Sequence, residues 1–89
     1  MRLIVSPTFL RAVKKLHPNQ KRDLDEAVRS VAGNPTLGEA KVGDLDGVRV
    51  FKFRMVGQLC LLAYTRQDEE TLVLLALGAH ENFYRDLKR

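Results

Sequence analysis

Only one cysteine, Cys60, occurs in the 89 residues, so neither an intrachain disulfide nor a cysteine-built metal site can form. A reducing compartment suits such a chain. Tryptophan is absent, and so are a glycine-rich phosphate loop, a His-Glu-x-x-His pair and the Ser, His, Asp set of a nucleophilic hydrolase. Two histidines, His17 and His80, are too few and too far apart in sequence to make a metal site. Acyl-transfer hydrolysis is thereby set aside, and no cofactor or metal is expected. Long apolar runs are missing as well, since nowhere do about 18 apolar residues follow one another. The opening MRLIVSPTF is broken by Ser6-Pro7 before it reaches the length of a signal peptide's apolar region. A cytoplasmic, soluble protein with no membrane partner is the expectation.

What is present is globular in kind, with 45% hydrophobic and 29% charged residues. The length allows one domain, residues 1–89, with no separate regulatory half. So short a chain buries only about 60–65% of its unfolded surface, and a partner covering apolar area would stabilise it considerably. Fifteen basic residues against eleven acidic ones give a formal charge of +4, a moderate bias toward polyanionic partners. Seven of the cations fall within residues 1–30.

Leu3-Ile4-Val5 is β-prone, and Ser6-Pro7 supplies an N-cap with proline at the first helical position. Phe9, Ala12, Val13 and Leu16 then form one apolar stripe, with Arg11, Lys14 and Lys15 on the wet side, up to a stop at His17-Pro18. A second helix carries the stripe Leu24, Ala27, Val28 and Val31 and ends at Gly33-Asn34-Pro35. Residues 34–47 read as a loop, with 41–45 partly extended. From Val48 the period switches to two: a strand to Met55, a turn at Gly57, a strand from Leu59 to Thr65, a turn at 67–70 and an apolar strand from Thr71 to Leu77. Gly78 breaks the last strand, and His80 to Leu87 are expected to form a short C-terminal helix. The fold class predicted is α+β: an N-terminal strand, an α-helical hairpin, a three-stranded antiparallel meander and that final helix, in a two-layer sandwich.

Along the first meander strand, alternation sends Phe51, Phe53 and Met55 to one side and Val50, Lys52 and Arg54 to the other. The aromatic side belongs on the helices, leaving Lys52 and Arg54 about 7 Å apart on the uncovered face. No acidic residue lies between Gly47 and Asp68 to neutralise them locally. Cations fixed on a rigid strand can stabilise charge developing on a phosphate without reorganising. The same pair also suits a solvated sheet face whose charges discourage edge-to-edge aggregation. His80 stands where an apolar strand gives way to the final helix, and imidazole exchanges a proton near neutral pH. A helix-starting histidine bonded to a backbone carbonyl is its structural alternative. Tyr84, one helical turn on, offers a ring for base stacking and a hydroxyl. His17, before Pro18, is read as a helix-ending residue.

The strand Gly47-Val48-Arg49-Val50-Phe51-Lys52-Phe53-Arg54, the strand Leu61-Leu62-Ala63-Tyr64 and the closing run from Leu77 to Arg89 resemble the RelE/ParE superfamily of bacterial type II toxins over almost the whole chain. The closing run is the most specific part of that resemblance. Members of the RelE, YoeB and YafQ kind cut messenger RNA in the ribosomal A site, whereas ParE members poison DNA gyrase, and fold does not choose between them. The resemblance implies a ribosome-dependent, metal-independent endoribonuclease that inhibits translation. Lys52 and Arg54 match the basic pair of the RelE-like nucleases, and His80 with Phe83 or Tyr84 matches the histidine and aromatic of the YafQ-like and YoeB-like members. In this assignment His80, Lys52, Arg54 and Tyr84 are catalytic, and Arg49, Phe83 and Arg85 contact RNA. Leu61 departs from the pattern, since RelE members carry an arginine on that strand; Arg49, Arg54 and Arg85 are the candidates to supply the charge. The implied partners are a cognate antitoxin, in a hetero-oligomer, and the ribosome with its message. The alternative is a gyrase inhibitor without catalysis.

Overall fold

The computed structural model describes residues 1–79. Strand β1 (Arg2–Val5) leads into helices α1 (Pro7–Lys14) and α2 (Pro18–Gly33), after which come the two-residue strand β2 (Glu39–Ala40) and a 3-10 turn (Gly43–Leu45). Strands β3 (Val48–Met55), β4 (Gln58–Asp68) and β5 (Thr71–Ala79) follow. They form one five-stranded sheet in the order β1-β5-β4-β3-β2. The meander is antiparallel, while β1 runs parallel to β5, with Leu3 opposite Leu72 and Val5 opposite Leu74. The short helix expected over 80–87 lies outside the described residues.

Local chemistry explains how the helices start. Ser6 caps α1 by accepting the Phe9 N–H at 3.0 Å, and its own hydroxyl donates to the Leu75 carbonyl at 2.7 Å, which ties the helix to β5. His17 caps the start of α2 and does not close α1, which ends at Lys14. The Gln20 side chain reaches back to the His17 N–H at 2.8 Å, the second half of a capping box. Pro18 takes the first turn of α2, where a missing N–H leaves nothing unsatisfied. Its ring also keeps His17 extended, so the two helices meet at a sharp joint.

Both helices cover one face of the sheet. Phe9 of α1 and Leu24, Ala27 and Val31 of α2 are buried against Met55, Cys60, Leu62, Tyr64, Leu72 and Leu74. Phe51 and Phe53 pack on this core with their rings parallel, 6.3 Å between centroids, as the alternation along β3 predicts. The opposite face is not bare. Val50, Leu61, Ala63 and Ala76 form a second buried cluster with Val48 and Leu75 against it, and no residue of α1 or α2 belongs to that cluster. An entirely uncovered second face is therefore corrected to one whose centre is buried and whose end carries charge.

Two further differences come from the loop and from the edge. The extended piece between α2 and β3 is Glu39–Ala40, paired with Val50 and Arg49, and not residues 41–45. The cause is Tyr64, whose buried hydroxyl accepts the Gly38 N–H at 2.9 Å and donates to the Pro35 carbonyl at 2.7 Å, drawing 35–38 onto the sheet. Gly38 is required there, since a Cβ would sit 2.8 Å from the Tyr64 hydroxyl. Strand β1 is at an edge, and all four of its residues are exposed.

Candidate functional site

Lys52 and Arg54 are both exposed and lie two residues apart on β3, on the face away from the helices. Alternation puts them beside Val50 of the second cluster, so apolar packing fixes the strand from which they project. The Arg54 Nη1 donates to the Gly57 carbonyl at 2.9 Å, anchoring the guanidinium to the turn that joins β3 to β4. One donor of five is used in that bond, and the other four stay available to an anion. Among the described residues the one ion pair found joins Lys41 to Glu39, away from this pair.

Register relates the pair to the far end of β5. Lys52 lies opposite Leu61, and Leu61 opposite Gly78; Phe53, Cys60 and Ala79 make the next row. Two interstrand spacings, about 10 Å, thus separate the backbone at Lys52 from that at Gly78. His80 follows Ala79 in sequence. His80, Phe83, Tyr84 and Arg85 all lie outside the described residues.

Arg49 stands apart from Lys52 and Arg54. It pairs with Tyr64, and its Nη1 donates to the carbonyls of Gly38 at 2.8 Å and Thr36 at 3.3 Å. Odd positions of β3 face the helices, so the structure does not bring Arg49 to the cation pair; it binds down the loop after α2. Leu61, at the position where the resemblance calls for arginine, is fully buried at 0% exposure.

A cleft not foreseen from the sequence lies between α1 and the end of the sheet where β5 finishes. About 740 Å³ in volume, it is lined by Arg11 and Lys15 on the helical side and by Met55, Cys60, Leu77 and Ala79 on the sheet side. The sequence signal for it was the i, i+4 spacing of Arg11 and Lys15, which puts two cations on one flank of the helix. Burial pushes the Cys60 thiol above its ordinary pKa, so the side chain there is a protonated, unreactive one. Among the described residues no group of three His, Cys, Asp or Glu side chains could hold a metal ion. No helix among them is long and apolar enough to cross a membrane.

The architecture is thus a helical hairpin on one face of a five-stranded sheet, with β1 parallel to the last strand of an antiparallel meander. Over residues 3–88 the sequence matches the family described as ParE-like toxin of type II bacterial toxin-antitoxin system, and the chain belongs to that family. Among curated proteins, none matches the sequence significantly. Solved structures do match its fold. The toxin chain of the intact Escherichia coli RelBE toxin-antitoxin complex aligns with a TM-score of 0.71 and 21% identity, covering 90% of this chain and 96% of that one. The isolated E. coli RelE toxin aligns at 0.70 and 21%, covering 90% and 84%. A doubly arginine-substituted E. coli RelE bound to a peptide of the RelB antitoxin aligns at 0.69 and 21%, covering 90% and 83%. The chain is thus a type II toxin-antitoxin toxin of the RelE/ParE superfamily with a RelE-like fold.

Proposed function

We propose that this toxin is a ribosome-dependent endoribonuclease that cuts messenger RNA and so inhibits translation. The observation that carries the reading is the exposed Lys52 and Arg54 pair on β3, in line across the sheet with the end of β5. In the reaction a ribose 2′-hydroxyl of the message attacks the adjacent phosphorus and the bond from phosphorus to the 5′-oxygen breaks. The products are a 2′,3′-cyclic phosphate and a 5′-hydroxyl. Lys52 and Arg54 stabilise the charge that builds on the non-bridging oxygens. His80 serves proton transfer, as base at the 2′-hydroxyl or acid at the 5′-oxygen, and Tyr84 stacks on a base. Phe83 and Arg85 extend the RNA contact. Because the nucleophile belongs to the substrate, the step calls for no metal.

The second reading, a gyrase inhibitor of the ParE kind, is favoured by one observation. Leu61 is buried where RNA-cleaving relatives are expected to present an arginine, so that position of β4 contributes no charge to a phosphate. The test is to add purified protein to a translating ribosome system and map transcript 5′ ends, with naked RNA and a DNA gyrase supercoiling assay alongside. Cuts that require ribosomes, slowed about 10²-fold by Lys52→Ala or Arg54→Ala, are expected. Intact transcripts with inhibited supercoiling would establish the second reading. A cognate antitoxin is proposed as the partner in both cases.

A further inference from the structure

Val56 is the one non-glycine residue with positive φ among those described, at 51°. A β-branched side chain is disfavoured in that region, where its Cβ crowds the backbone. With Gly57 at 80°, it forms the two-residue link between Met55 and Gln58, a turn shape that ordinarily takes Asn-Gly. Valine's own preference opposes this shape, so something else must hold it. That something is α2: the Val56 N–H donates to Asp23 Oδ2 at 2.7 Å, across 33 positions of sequence.

The other side of the same turn bears on the cation pair. Gly57, the residue after Val56, offers the carbonyl that accepts from Arg54 Nη1 at 2.9 Å. A carboxylate on the second helix therefore fixes the turn, and the turn fixes the guanidinium. We infer that Asp23 is a positioning residue for Arg54, acting through the strained Val56-Gly57 turn, an inference that rests on the nuclease reading given under Proposed function. Phosphate recognition by arginine depends on the direction of its donors as well as on its charge. Releasing the turn would let the guanidinium swing away from the place where the phosphate oxygens arrive. Local support for the hairpin alone would produce the same hydrogen bonds, so the test must separate the two.

The experiment is a mutant cycle on ribosome-bound message, with cleavage rates compared at equal concentrations of folded protein and thermal midpoints recorded for each variant. Asp23→Ala is expected to slow cleavage about tenfold, and Asp23→Asn, which keeps an acceptor oxygen, to recover most of it. The double variant Asp23→Ala with Arg54→Ala should be no slower than Arg54→Ala alone, within about twofold. In a Val56→Asn background, where the turn holds its own shape, the loss from Asp23→Ala should shrink to under about threefold. Should Asp23→Ala fail to fold, Asp23→Ser, whose shorter side chain withdraws the acceptor from the Val56 N–H, carries the same cycle with the same expected loss. A lowered midpoint with an unchanged rate, or losses that multiply in the double variant, overturns the positioning role while leaving the nuclease reading intact. Parent-like cleavage by Arg54→Ala, or no cleavage by the parent, overturns both.

Discussion

Leu61 and Tyr64 sit three residues apart on β4, face opposite sides of the sheet and are both essentially inaccessible to water. Replacing Leu61 by arginine, to supply the charge the superfamily pattern calls for, places an unpaired cation in a packed cluster with Val50 and Ala63. Such a change costs several kcal/mol, a large part of the stability of a small domain. Leu61→Arg is therefore expected to unfold the protein, not to activate it, as read by circular dichroism and transcript cleavage; a folded and faster variant would refute this. Tyr64→Phe leaves the Gly38 N–H and the Pro35 carbonyl without their partner. A loss of about 1–3 kcal/mol in a urea titration is expected, and a change within error would mean that water replaces the hydroxyl. Sequence alone made the facing of Lys52 and Arg54 legible, because alternation along a strand is local. It did not make the tie between Tyr64 and Gly38 legible, because 26 positions separate residues that meet only through the fold.

Elements with strong periodicity were legible to within a few residues. Strand β3 runs from Val48 to Met55 as its alternation predicts, whereas β4 and β5 each extend past their apolar runs, to Asp68 and Ala79. The parallel pairing of β1 with β5 left no local trace, being a contact between the two ends of the described chain. Hairpin β4–β5 carries a pH-dependent element of its own. The Glu70 N–H donates to Asp68 Oδ1 at 2.8 Å, and this bond, foremost, holds the Asp68 carboxyl below its ordinary range, with the charge of Arg2 contributing less. A carboxyl depressed in the folded state stabilises fully above its unfolded pKa, near pH 4, and that stabilisation is lost as pH falls through the lower folded value. Asp68→Asn should accordingly flatten the acid side of a plot of thermal midpoint against pH below about pH 4. An unchanged slope there would show that the hydrogen bond forms equally in the unfolded chain.

At the scale of the whole molecule, the apolar surface left in water bears on how the toxin is kept in check. Leu3, Ile4 and Val5 on β1 are each 45% exposed, and Leu10 on α1 is 43% exposed. Because β1 is an edge strand bonded to β5 through the N–H groups of Arg2 and Ser6, those of Leu3 and Val5 point outward, unpaired by the sheet. A domain of this size has little stability to spare, so a partner that binds only the folded toxin shifts its melting strongly. With the antitoxin at about 100 times its dissociation constant, the gain is about 2.7 kcal/mol. For a chain of this length that corresponds to about 10–20 °C in thermal midpoint. Co-expression with the product of the adjacent gene, followed by purification of the complex, is expected to give a shift of that order and to abolish transcript cleavage. A harmless toxin whose midpoint does not move on adding that protein would separate this chain from an antitoxin encoded beside it, and the regulatory half of the functional reading would then fall.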